Sequence, residues 1–317
     1  MKKWLSLFTV FSLLFSLTLF ADETKKSDEK SVDKKEENTT EAVSSASLRA
    51  SLGSMSKLSI SAGVGYTGSS IRKPFENQIP NPNGLQGDYS TYFSGSLSGR
   101  YRIDNQSTTS IGGSFTFRPD PQGDSKTSEF TNPFVGYSWV RKYGPVVLSQ
   151  GVDYTKFTRK DTLDRGFHSE VSYGATLIWG GINGTPFSLG LSTSAYHDLF
   201  TDGSNSASAY NNWQDDYGFG IYPFAEFQAS DRFTLRTVVG KSFYHLRSDL
   251  RNSGMWDKFE EQKLYQTVGL GISITKVIYL YNYVKFYPQM NFFDKKNDSE
   301  SFNSTANYGI SLTMSLF

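Results

Sequence analysis

The chain has 317 residues, a formal net charge of +1 and no cysteine. The near-neutral charge, with no basic stripe, argues against a nucleic-acid partner, and the missing cysteines exclude disulfides, thiolate metal sites and a lipoprotein anchor. Only 37% of residues are hydrophobic and mean hydropathy is −0.43, yet aromatics reach 15%, nearly all Phe and Tyr. A soluble enzyme of this size is usually richer in aliphatics. A membrane barrel with a polar interior needs an apolar residue only at every second position.

The first 21 residues have the parts of a secretory signal: Lys2 and Lys3, an apolar run from Leu5 to Phe20, and small Ala21 at the expected cleavage point. The run is short for a helical span, which needs about 20 apolar residues. Residues 22–56 are predicted to form a periplasmic leader. Asp22–Glu41 is almost wholly Lys, Glu, Asp, Ser and Thr and cannot bury enough apolar surface to fold. In Ala42–Met55 the spacing of Leu48, Leu52 and Met55 fits a short amphipathic plug helix, but a Ser-rich linker is preferred.

From Lys57 to Phe317 the apolar pattern has a period of two, the signature of strands with unlike faces. Twelve strands are predicted, at 57–67, 90–102, 109–118, 131–140, 145–156, 167–179, 186–197, 215–227, 232–245, 262–274, 277–290 and 305–317. The gaps alternate between long (68–89, 119–130, 157–166, 198–213, 247–261, 294–304) and short (103–108, 141–144, 180–185, 228–231, 275–276). That alternation fits an up-and-down antiparallel transmembrane barrel with short periplasmic turns, long external loops and both termini periplasmic. A soluble sandwich has no reason for it and would leave edges to protect.

The lipid-facing phase is predicted as Val171, Tyr173, Ala175, Leu177 and Trp179 in the sixth segment and Phe187, Leu189, Leu191, Thr193 and Ala195 in the seventh. In the eighth it is Tyr217, Phe219, Ile221, Pro223, Ala225 and Phe227, and in the tenth Val268, Leu270, Ile272 and Ile274. Tyr101, Trp139, Trp179, Phe187, Phe227, Phe233 and Phe317 should form the inner aromatic belt, and Phe117, Tyr154, Tyr173 and Tyr217 the outer one. Pro223 lacks a ladder donor, so a bulge is expected there. The opposite phase is Gly, Ser, Thr and Tyr with charges of both signs: Arg100, Arg102, Arg118, Asp153, Glu170, Glu226, Arg236 and Lys285. These should either line a water-filled path and set its selectivity or pair across a narrow lumen and close it. Twelve strands lie between the roughly eight that side chains can fill and the roughly sixteen that leave a wide channel, so a narrow or partly occluded path is favoured. Placing Lys285 inside turns Asn282 to lipid, which suggests a phase-shifting bulge, and Lys241 poses the same problem.

His168, His197 and His245 all fall near predicted external strand ends. His168, Ser169 and Glu170 are the residue types of nucleophilic catalysis. Neighbours on a strand point to opposite faces, however, so His168 and Ser169 should not meet. No phosphate loop, dinucleotide fingerprint or zinc spacing occurs, and Gly218–Gly220 and Gly269–Gly271 read as small lumen residues. Asp215, Asp216, Asp294 and Asp298 read as solvated rim residues rather than a calcium site. No cofactor, metal or catalytic residue is assigned.

The secretory start, the alternating strands and the terminal Phe317 together resemble Gram-negative outer-membrane β-barrel proteins of porin-like type. The resemblance covers roughly 57–317. It implies outer-membrane location, contact with lipid and lipopolysaccharide, and recognition of the C-terminal strand by the barrel-assembly machinery. One departure stands out: Phe317 follows Leu316 directly and is out of phase with Leu312 and Met314. The implied function is a narrow channel for small polar solutes or ions. The alternatives are a closed scaffold acting through its external loops and, less favoured, an outer-membrane lipid hydrolase.

Overall fold

The structure is a computed structural model. It describes residues 56–68, 71, 74–75, 91–117, 128–164, 166–182, 185–201, 215–246, 260–261, 264–287 and 306–316. These belong to one compact unit, 38–317. The signal segment, the leader, Arg118 and Phe317 lie outside the described residues.

Period-two segments form strands wherever the sequence predicts them. The long strands are β1 (Leu58–Thr67), β2 (Tyr92–Arg102), β3 (Ser107–Phe117), β4 (Ser128–Tyr143), β5 (Val146–Lys156), β6 (Phe167–Trp179), β7 (Phe187–Phe200), β8 (Asp215–Gln228), β9 (Phe233–Leu246), β11 (Tyr265–Thr275), β12 (Ile278–Phe286) and β13 (Asn307–Leu316). Glu260–Glu261 (β10) adds two residues beside β9 beyond the reach of β11, and Lys160–Asp164 makes one helical turn (α1) between β5 and β6. No helix among the described residues is long and apolar enough to cross a membrane.

Each long strand pairs antiparallel with its neighbour in the chain, β9 pairs with both β8 and β11, and β1 pairs with β13. The ladder from Ile60↔Leu316 to Thr67↔Gly309 closes a barrel of twelve long strands. Closure leaves no long edge strand with unpaired backbone. The short connections, including 103–106, 144–145, 229–232 and 276–277, share one end, called here the short-turn end. The strand ends that flank the intervals 68–91, 118–127, 157–166, 201–214, 247–264 and 287–306 lie at the other, called the long-loop end. Gly144 has φ of 58°, which lets two residues reverse the chain between β4 and β5.

Outward positions match the predicted apolar phase. Leu177, Leu189, Phe219, Ile221, Val268 and Leu270 are all exposed on the outer face. The described inner-belt residues Tyr101, Trp139, Trp179, Phe187, Phe227 and Phe233 face outward near the short-turn end, with the Phe187 and Phe227 rings 4.8 Å apart. Tyr173 departs from its expected rim position. It sits at the middle of β6, where its hydroxyl accepts a hydrogen bond from Gln150 Nε2 at 2.8 Å.

Three local expectations are corrected. Pro223 causes no bulge: the β8–β9 ladder steps from Ile221↔Lys241 to Phe224↔Val238 in unchanged register, while Pro223 stays aligned with Leu191 of β7. The missing donor is absorbed by that gap in one ladder. Strand β12 is in unbroken register with β13, and its slip against β11 falls at Ser273–Thr275, away from Asn282, so Asn282 does face outward, where Tyr308 Oη donates to its side-chain oxygen at 3.4 Å. Lys241 also faces outward, its ammonium 5.7 Å from the Phe243 ring centre. A real bulge occurs elsewhere, opposite Gly112–Ser114, where Asn132 takes φ of 52°. Asn132 and Thr158 clasp it by two reciprocal hydrogen bonds of 2.9 and 3.2 Å.

Candidate functional site: the barrel lumen

The inward phase divides the lumen into two unlike walls. Along the middle of β13, β1, β2 and β3 it consists of small residues: Ser311, Thr313, Gly63, Gly65, Ser94, Ser96, Ser114 and Thr116. They leave a cavity of about 520 Å³ against that wall. Small residues at every second position on four adjacent strands keep backbone and hydroxyls at the surface, so this wall is polar and roomy.

The other wall is filled. At the short-turn end Val140, Val147, Ile178 and Phe224 are buried together, with Val238 packed on them. All five point inward from β4, β5, β6, β8 and β9. The Phe224 ring lies against Gly190, where any Cβ would collide with it. Beside this cluster Tyr279, Tyr281 and Tyr283 run up the inner face of β12 as a stack, with ring centres 6.5 and 5.2 Å apart. Tyr281 Oη donates to the Arg236 carbonyl at 3.3 Å.

Charged side chains are sorted along the axis. Arg100 and Arg102 face inward near the short-turn end of β2. Glu226 and Arg236, aligned across the β8–β9 hairpin, pair at 3.5 Å with 5% and 18% of their side chains exposed. The Arg236 guanidinium also lies 4.6 Å from the Phe224 ring centre and 5.9 Å from that of Tyr281. Toward the long-loop end the inward charges are acidic: Asp153 on β5, Glu170 on β6, Asp198 on β7 and Asp215 on β8. On the far side of that end, Lys285 lies over the Tyr265 ring at 4.1 Å and near the Tyr287 ring at 5.5 Å. Of the predicted lumen residues, Arg100 with Arg102, Glu226 with Arg236, and Asp153 with Glu170 are brought together; Lys285 stands apart.

Two inward groups lie outside the predicted lumen set. The stacked tyrosines were legible as Tyr279-x-Tyr281-x-Tyr283, but the phase of that strand was left ambiguous by Asn282. The apolar pattern predicts a strand ending at 197 with Asp198 in the following loop, whereas β7 continues to Phe200.

One expectation about chemistry is overturned. His168 Nδ1 lies 2.9 Å from Ser169 Oγ, although strand alternation should separate them. A register shift between Phe167 and Ser169 breaks the alternation there. Ser169 itself is fully buried. His245 Nδ1 meets Asp216 Oδ1 at 2.8 Å and stacks on Tyr217 at 4.6 Å. Among the described residues no three His, Cys, Asp or Glu groups converge on a metal position.

Comparison with known proteins bears on the fold. No protein-family model and no curated protein sequence matches the chain. Among solved structures, the COG4313 outer membrane channel from Pseudomonas putida F1 superposes with a TM-score of 0.50 at 11% identity, covering 83% of this chain and 97% of that one. This chain has the fold of an outer-membrane channel. The NanC porin aligns with it at a TM-score of 0.42 and 10% identity, over 81% of this chain and 98% of the porin. In this barrel the open space lies along the small-residue wall of β13 and β1–β3.

Proposed function

We propose that the chain is a narrow channel of the bacterial outer membrane for small ions and polar solutes. The observation that carries this reading is the small-residue wall. Eight inward positions on four consecutive strands are Gly, Ser or Thr and border a cavity of about 520 Å³. A barrel built only as a scaffold gains stability by filling that space, as β4–β9 do on the opposite side. The path is narrow because the apolar cluster at Phe224 and the tyrosine stack occupy the rest of the section. In this reading both termini face the periplasm, residues 1–21 are the secretory signal and 22–56 a periplasmic leader. The outer face meets lipid and lipopolysaccharide, and the C-terminal strand meets the assembly machinery. Arg100, Arg102, Asp153, Glu170, Glu226, Arg236 and Lys285 set the electrostatics of passage.

A second reading is supported by the packed wall itself: a closed barrel whose external loops carry the function. Planar-bilayer recording of the refolded full chain separates the two. Discrete conductance steps are expected, and Arg100→Glu should shift the reversal potential in a salt gradient. A correctly folded barrel that stays electrically silent would rule out the channel.

A further inference from the structure

The long-loop half of the lumen holds carboxylates in an arrangement that the channel reading alone does not require. Glu170 and Asp198 face each other directly in the β6–β7 ladder. Like charges at opposed positions destabilise a sheet. Asp215 and Asp153 join them electrostatically, and the Tyr196 hydroxyl lies among Asp198, Glu170 and Asp215 and donates to Asp215 Oδ2. The Tyr196 ring crosses Gly218, where a Cβ would strike it, so glycine at 218 is what lets the phenol reach this position. No Lys or Arg among the described residues pairs with Asp153, Glu170, Asp198 or Asp215. Asp216, the nearby fifth acid, is already engaged by His245.

A second observation points to an absent occupant. Asp198 is 94% buried, and its Oδ1 has no hydrogen-bond partner among the described residues. A buried carboxylate oxygen without a donor is costly, and three further carboxylates around it raise that cost. Both costs are removed by a cation. A bare metal ion fits poorly, since calcium takes 6–8 oxygens at 2.3–2.6 Å and no three acidic groups converge here. An ammonium or guanidinium group fits better. Its several N–H donors reach separate carboxylates through charge-assisted hydrogen bonds, and the Tyr196 ring offers a cation–π face.

Resting on the channel reading for its placement in a conduction path, we infer that Glu170, Asp198 and Asp215, with Tyr196, form a binding site for solutes bearing an ammonium or guanidinium group. The test is calorimetric titration of the refolded full chain in detergent micelles with spermidine as probe and calcium chloride in parallel. Wild type should bind spermidine, Asp198→Glu should retain binding, and Asp198→Asn/Glu170→Gln should weaken it by about tenfold or more. Glu170→Gln alone should act in the same direction and serves if the double variant does not fold. No spermidine binding by wild type, or equal binding by the neutralised variant, would overturn the site. Calcium binding tighter than spermidine and lost in the same variant would also overturn it, in favour of a metal. Because titration needs no conduction, a silent bilayer would remove the channel reading without deciding this one.

Discussion

Glu226 and Arg236 sit opposite each other in the β8–β9 ladder, both inward, with Arg236 sandwiched between its carboxylate partner and the faces of Phe224 and Tyr281. The guanidinium therefore joins the polar and apolar parts of the packed wall. Removing either partner leaves a poorly solvated charge. Arg236→Met or Glu226→Gln alone should each cost about 3 kcal/mol, read as urea-unfolding midpoints in phospholipid vesicles. The double variant should recover most of that loss, because no orphan charge remains.

Phe224 fills the space between Val140, Val147 and Ile178. Phe224→Ala should destabilise the barrel by about 3–5 kcal/mol. It should also raise single-channel conductance by removing the bulkiest obstruction at the short-turn end. An unchanged conductance in a folded variant would place the narrowest section elsewhere.

On the opposite wall the relation reverses. Ser96 borders open space, so Ser96→Trp should leave stability within about 1 kcal/mol, as a substitution that creates no clash does, while sharply lowering conductance. Measuring both on one preparation tests whether the small-residue wall is the path.

The two phases of a strand should answer a charge differently. Leu270 is outward near the middle of β11, and Thr313 is inward on β13. Leu270→Arg should cost about 2–4 kcal/mol, the penalty for a cation on the lipid face near the midplane. Thr313→Arg should cost far less and instead alter ion selectivity. Equal penalties would contradict the assigned faces.

At the β2–β3 turn the exposed Asp104 carboxylate accepts hydrogen bonds from the amides of Gln106 at 2.7 Å and Ser107 at 2.6 Å. These bonds hold its pKa below the usual value, that of Gln106 most strongly. The folded pKa is depressed, so its contribution is fully present above the ordinary carboxylate pKa of about 4 and is lost as pH falls through the lower folded value. Asp104→Asn should therefore lower the unfolding midpoint at neutral pH, with the difference from wild type shrinking below about pH 4.

Strand count, closure order and the outward phase were legible in the sequence because a two-faced strand writes its environment into every second residue. The run Val171, Tyr173, Ala175, Leu177, Trp179 shows this: one polar slip would have broken it. The departures are at positions where a local feature outweighed alternation. Pro223 needed no bulge, since one interrupted ladder suffices when the other side still pairs. Asn282 suggested a phase change because its partner, Tyr308, is 26 residues away and invisible to a local pattern. His168 and Ser169 meet because a register shift cancels the rule that separates neighbours. The acidic cluster was hidden for a different reason. Its members come from different strands, and Asp198 lies beyond the point where the apolar alternation fades.

The ladder between β1 and β13 also governs the order of assembly. Ile60 waits for Leu316, more than 250 residues later in the chain. Until β13 arrives, β1 has one free edge with a row of unsatisfied amides, open to pairing with another molecule. Closing the barrel thus depends on a pairing between strands more than 250 residues apart, the kind of non-local contact that forms slowly.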